Sequence, residues 1–174
     1  ISGLVGSEMC IRDSYNTMVK EKQVFLPIQR DHVRLYACGP TVYDRIHVGN
    51  ARPLVVFDVL VRLLRAAFPK VTYVRNITDV DDKINSRAAE RGIFISELCE
   101  QTIFSFHKDC KALNVLSPDI EPRATEHIAQ MIAMITGLIE KGFAYEAEGH
   151  VLFSIEKMQD YGQLSGRSLS LIHI

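Results

Sequence analysis

The sequence is first informative in what it lacks. Its 174 residues hold only four cysteines, Cys10, Cys38, Cys99 and Cys110, with no CxxC pair among them. Thiols so few and so scattered make no disulfide framework and point to a reducing compartment, the cytoplasm. No local run of histidines and cysteines has zinc-binding spacing. No apolar run approaches the roughly 20 residues of a membrane-spanning helix, and no convincing signal peptide is present, so no membrane partner is expected. Excess charge of one sign is missing as well. A formal net charge of -1 supplies no bulk basic field, so any RNA contact must be local or lie outside this chain. Internal repeats and low-complexity tracts are absent. What remains, with 47% hydrophobic and 24% charged residues, suffices for a globular domain with a core.

The stretch from Val33 to Asn50 organises the rest. A β-branched and aromatic run predicts a strand over Val33–Cys38, and Gly39-Pro40 ends it. A loop carrying His47 and Gly49 leads to a helix that fits Asn50 or Ala51 as its start, with Pro53 in the first turn. Strand, glycine turn and helix N-terminus together read as an anion site, where free N–H groups and the positive helix end hold a phosphate. Gly49 lets a ligand approach the backbone. The helix is apolar on most sides through Leu64, Pro69 stops it, and Val71–Ile77 reads as a second strand. Together these make a βαβ unit.

Before that unit, Tyr15 to Ile28 reads as an edge strand or an irregular lead-in. After it, Thr78 or Asp79 caps a helix that ends at Gly92, and Ser96 caps another through about Leu113. The second of these places Leu98, Ile103, Phe106 and Cys110 on one face. Ser117–Pro122 reads as a connection, and a long helix follows from Ala124 to Lys141, closed by Gly142. Phe143–Ala147 and His150–Ser154 flank a Glu-Gly turn and read as a hairpin. The fold class is α/β with a helical insertion.

Several residues are candidates for chemistry. Cys38, at a strand end beside a phosphate-type loop, has three readings: nucleophile, soft metal ligand, or small buried side chain. Taken alone, the buried reading wins. His47 is either an exposed loop histidine or a donor to a phosphate oxygen. Asp81 and Asp82 bind Mg²⁺, act in acid–base work or, the better reading for adjacent helix positions, cap a helix and offset its dipole. Thr78 and Asp79 point toward the same crevice as Cys38 and are the stronger site candidates.

The two termini stand apart. Glu8-Met9-Cys10-Ile11-Arg12-Asp13-Ser14 can be encoded by DNA whose reverse complement, shifted in frame, reads Leu-Ser-Leu-Ile-His-Ile, which is Leu169 to Ile174. Ends that are each other's reverse complement resemble a transposon-end adapter. Residues 1–14 and 169–174 are therefore expected to be foreign to the fold. Cys10 and His173 then carry no chemistry, and the protein is truncated.

Read together, Tyr36–Asp44, His47–Asn50 and Tyr73–Ile84 resemble the cysteinyl-tRNA synthetase family of class I aminoacyl-tRNA synthetases. Glu121–Ile128 and Tyr161–Ser165 match as well, so the resemblance covers about Tyr15 to Ser168. It implies a Rossmann-type nucleotide-binding catalytic domain that is incomplete here. Residues 15–116 would be its N-terminal half and 117–168 the start of the helical connective insertion. It implies ATP-dependent activation of L-cysteine to cysteinyl adenylate and transfer to tRNA(Cys), with ATP and Mg²⁺ as substrate, a monomer in the cytoplasm, and one zinc per intact enzyme.

By that resemblance Cys38 is the first ligand of a zinc that binds the substrate thiolate. His47 matches the first histidine of the family's His-Ile-Gly-His signature, and Asn50 stands in place of the second, where an amide donates a hydrogen bond but takes no charge. These two are the implied catalytic residues. ATP contacts fall to Pro40, Thr41, His47, Gly49 and Asn50, and amino-acid contacts to Gly39, Thr41 and Thr78. The other zinc ligands, the Lys-Met-Ser-Lys-Ser-type loop and the anticodon-binding region belong beyond residue 168. The chain as given is thus expected to be inactive, to bind zinc weakly if at all, and to expose a sheet face and edge. A mycothiol-pathway ligase joining cysteine to an amino sugar would share everything visible. A non-catalytic remnant fits less well, because Cys38, His47 and Gly49 are all retained.

Overall fold

A computed structural model describes residues 13–166, which divide into two compact units. One comprises 27–127, and the other combines 13–26 with 128–166. The chain begins with β1 (Asp13–Asn16) and β2 (Glu21–Val24), an antiparallel hairpin with Asp13 opposite Val24 and Ser14 opposite Gln23. The Asn16 carboxamide accepts from the Met18 N–H at 3.0 Å and starts the turn, and Lys20 takes a φ of 60° within it. The lead-in is therefore a two-stranded ribbon, and Asp13 and Ser14 are part of it.

Unit 27–127 is built on the expected βαβ. Strand β3 (His32–Ala37) pairs in parallel with β4 (Lys70–Arg75), and α1 (Val48–Ala67) connects them. α1 buries Leu54, Asp58, Val61 and Leu64, the stripe expected of a helix lying on a sheet. It starts two residues ahead of the predicted Asn50, because the His47 side chain supplies the cap. Pro53 consequently sits inside the helix rather than in its first turn, and it cannot donate to the Gly49 carbonyl. Burial makes Asp58 a structural anchor: Oδ1 accepts from Leu116 N and Oδ2 from Arg62 Nε, each at 2.8 Å.

After β4 come α2 (Asp82–Arg91) and α3 (Ile95–Ala112). Asp81, not Thr78 or Asp79, caps α2 by accepting from Lys83 N at 2.8 Å, and Gly92 closes it in the left-handed region with φ 62°. The cap of α3 is Phe94, with no side-chain bond, in place of Ser96. Its face is as predicted, with Leu98, Ile103, Phe106 and Cys110 buried beside Val42, Leu54, Ile77 and Ile84. The stretch read as a plain connection runs as a further parallel partner of β4, bridging Val74 to Ile120 and Ile77 to Arg123. The bonds Arg75 N to Ile120 O (3.1 Å) and Ile77 N to Pro122 O (2.9 Å) hold it there. Pro118 and Pro122 hide this in the sequence, because each breaks the strand pattern without removing the carbonyls that pair.

The predicted helix from Ala124 begins as a 3-10 turn, Ala124–His127, before α4 (Ile128–Glu140). Two side-chain contacts tighten that turn. Asp79 binds Thr125, and Glu126 Oε2 accepts from Arg123 N at 3.1 Å. Gly142, at φ 74°, ends the helical run. Then β5 (Ala144–Ala147) and β6 (His150–Phe153) form the expected hairpin. Glu148 and Gly149 both take positive φ, as a two-residue type I′ turn requires.

Candidate active site

A cleft of about 100 Å³ opens at the C-terminal end of β3. Cys38, Gly39 and Pro40 line one side, Gly49, Asn50 and Pro53 of α1 another, and Tyr73 and Arg75 of β4 its inner part. Open α/β sheets present ligands at this place, beyond the carboxyl ends of the strands.

Each wall has a physical reason. At Gly39 a Cβ would lie 1.5 Å from the Asn76 carbonyl oxygen, so the ends of β3 and β4 touch backbone to backbone and only glycine fits. Asn76 completes the junction: its Oδ1 accepts from Gly39 N at 2.9 Å and its Nδ2 donates to Thr78 Oγ1 at 3.1 Å. Pairing continues past the strands, with Val42 N to Thr78 O at 3.1 Å and Thr78 N to Pro40 O at 3.0 Å. Thr41 and Thr78 therefore stand side by side.

On the α1 side His47 is the N-cap. Its Nδ1 accepts from Gly49 N at 3.0 Å, and Asn50 Oδ1 accepts from His47 N at 3.2 Å, a reciprocal capping box. That bond assigns the ring proton to Nε2, which is left as a donor. A Cβ at Gly49 would come within 2.7 Å of His47 Cε1, so this glycine makes room for the capping ring. The expected row of free amides is reduced. The Gly49 N–H serves the His47 ring, while Asn50 N and Ala51 N donate to the His47 carbonyl at 2.9 and 3.0 Å. What the helix end offers an anion is its positive dipole, the Nε2–H of His47 and the side-chain amide of Asn50.

The cleft thus gathers Cys38, Gly39, Pro40, Gly49 and Asn50 on its lining. Thr41, Thr78 and His47 are tied to those residues rather than lining it. Cys38 is exposed, which overturns the buried reading: it follows Ala37, whose side chain takes the core-facing direction of the pleat. Cys99 and Cys110 are buried packing residues, and burial pushes both thiols above their usual range. Asp79 does not line the cleft. It is 7% exposed, and its carboxylate accepts from Thr125 N at 3.0 Å and Thr125 Oγ1 at 2.6 Å.

Two cleft residues lie inside the matched string Tyr73–Ile84 but take no role from the sequence. Arg75, 1% exposed, donates to Glu121 Oε1 at 2.7 Å and lies 4.9 Å from the centre of the Phe106 ring. Tyr73 is equally buried, which pushes its phenol above the usual range. The alternation of β4 puts both on the covered face, but an arginine in a strand carries no signal of a buried partner. Among the described residues no three of His, Cys, Asp and Glu are placed to hold a metal ion. Cys38 offers one sulfur, and residues 13–166 do not by themselves make a zinc site.

The family model described as "tRNA synthetases class I (C) catalytic domain" matches residues 24–174. The chain belongs to this family. It is 64% identical over 155 residues to a protein of Rhodospirillum rubrum named cysteine–tRNA ligase, an alignment covering 89% of this chain and 34% of that one. A relative of the same name from Paramagnetospirillum magneticum is 64% identical over 154 residues, and one from Gluconobacter oxydans 56% over 155. The chain spans about a third of the length of these curated relatives. Among solved structures it is similar to a methionyl-tRNA synthetase of Mycobacterium tuberculosis in complex with methionyl-adenylate. The TM-score is 0.61 at 20% identity, over 66% of this chain and 23% of that one. That likeness carries the Rossmann-type synthetase fold alone. Among the described residues, no helix of the family member is long and apolar enough to cross a membrane.

Proposed function

We propose that this chain is the N-terminal part of a cysteine–tRNA ligase, which activates L-cysteine with ATP and transfers it to tRNA(Cys). The observation that carries the reading is 64% identity across 89% of the chain to a protein named for that activity. The cleft geometry supports it, since the residues matching the family's signature stand around one strand end. The activity belongs to the longer protein, not to this third of it.

In this reading the cysteine carboxylate attacks the α-phosphorus of ATP, pyrophosphate leaves, and the terminal hydroxyl of the tRNA later attacks the acyl carbon to release AMP. The positive end of α1 faces the phosphates, and His47 donates Nε2–H to an oxygen that gains charge as the α-phosphorus becomes five-coordinate. Asn50 steadies the His47 backbone through Oδ1 and keeps its amide hydrogens for a phosphate or ribose oxygen. Pro40 and Gly49 shape the approach of the nucleotide. Gly39, Thr41 and Thr78 border the amino acid, with the Thr78 hydroxyl oriented by Asn76. The exposed Cys38 is available as one ligand to a zinc completed by residues outside 13–166.

The test is cysteine-dependent ATP–pyrophosphate exchange by the full-length protein, followed by charging of tRNA(Cys). Exchange with cysteine but not serine, lost in Cys38→Ser, is expected. Exchange without tRNA charging, but with transfer to an amino-sugar amine, would move the protein to the sugar-ligase branch. No exchange with any amino acid would sink the reading.

A further inference from the structure

Between the Thr41–Thr78 bridge and α1 the chain crosses from Val42 to His47. Val42 and Ile46 anchor this crossing from below in the core. One of its side chains, Asp44, reaches across to α2. Its Oδ2 accepts from Arg87 Nη2, and its Oδ1 accepts from Arg91 Nη2 at 3.4 Å and from Arg45 N at 2.8 Å. Glu90 takes the other arm of Arg87 at 3.0 Å and orients the guanidinium plane. The Asp44 carboxyl is held below its usual range, first by the Arg45 N–H and then by Arg87 and Arg91. Helix α2 is itself fixed close to the cleft, because its cap Asp81 lies three residues beyond Thr78.

We propose that Arg87, backed by Arg91, is a positioning residue for His47: by holding Asp44 it fixes the crossing whose last residue caps α1 and faces the ATP phosphates. This rests on the ATP-dependent reading above. The pair is about one-third exposed on each side, at 35% and 36%, so water and salt screen it and its share of global stability is small. Its leverage is geometric. The crossing is short, and a displacement of about 1 Å in a phosphate donor is amplified in the rate.

The experiment is Arg87→Met in the full-length protein, read three ways. ATP–pyrophosphate exchange should show kcat lowered roughly tenfold, KM for cysteine unchanged, and partial recovery in Arg87→Lys. The thermal midpoint should stay with the parent. Amide hydrogen exchange should quicken across Tyr43–Asn50 and nowhere else. An unchanged kcat overturns the proposal. So does equal damage to both substrates together with a lowered midpoint, which marks a merely structural residue. Should the parent protein show no exchange activity, the catalytic reading fails separately, and the clamp stands or falls on whether Arg87→Met alters hydrogen exchange in the crossing.

Discussion

The two units of the chain are held by different physics. Of the buried hydrophobic residues described, all but Ala144 lie within 27–127. That unit closes a core from β3, β4, α1, α2 and α3, and it locks loops to that core with buried charges such as Asp58 and Asp79. The other unit has two hairpins and α4, whose apolar residues stay open, Met134 at 70% exposure and Ile132 at 58%. Isolated two-stranded ribbons and helices of about this length are marginal in water. Turn chemistry and capping suffice to form an element, but burial is what keeps it.

The comparison breaks most sharply at Gly39. Alanine there sets a Cβ 1.5 Å from the Asn76 oxygen, so the strand ends must part. A loss of about 4 kcal/mol or more is expected, with circular dichroism and hydrogen exchange showing 27–127 unfolded while protection of the β5–β6 amides is unchanged. A melting curve like the parent's would contradict the backbone contact. Next comes Asp58→Ala, which strands the Leu116 N–H and frees Arg62 from its partner. It should cost about 2–3 kcal/mol by denaturant titration.

The same residue gives a pH prediction. Burial works to raise the Asp58 carboxyl, but the Arg62 and Leu116 bonds outweigh it and hold the group below its ordinary 3.8. A lowered carboxyl stabilises the fold above the ordinary value and loses that contribution as pH falls through the folded one. The contribution of this group to the thermal midpoint of 27–127 should therefore be full and constant between pH 5 and 7 and fall away below 3.8, with Asp58→Asn flattening that acid limb.

Gly149→Ala sharpens the comparison from the other side. The turn needs φ 77°, so alanine should weaken the β5–β6 hairpin by about 1 kcal/mol, seen in local hydrogen exchange, and leave the 27–127 midpoint alone. Equal shifts in both would mean the units melt as one. Gly49→Ala is the smallest in stability. Losing the His47 cap costs about 1 kcal/mol, and the helix propensity of alanine over glycine returns about as much. The midpoint should hold while the His47 ring resonances move.

Where the chain obeyed local rules, it was legible. Gly92 and Gly142 marked helix ends, Glu148-Gly149 marked the turn, and the apolar stripe of α3 was correctly placed. Helix starts slipped by a residue or a few, and the larger misreadings turn on what residue type alone does not carry. Cys38 looks like packing until β3 is known to end at Ala37. Asp79 reads as pointing toward the crevice, but Thr125, far along the chain, takes its carboxylate. Ser117–Pro122 looks like a loop because the carbonyls pairing with β4 leave no trace in residue type. His47 was singled out, but as a free ligand donor. That a histidine would cap α1, and that Asn50 would answer it, needed the geometry of the turn.

The contact at Gly39 has a consequence for recognition. Because the ends of β3 and β4 meet backbone to backbone, Pro40, Thr41 and Thr78 form one stationary wall rather than two jaws. The ordering of that wall is settled during folding, before any ligand arrives. A molecule docking against it loses only its own freedom there, and whatever adjusts around it must come from a different side of the cleft.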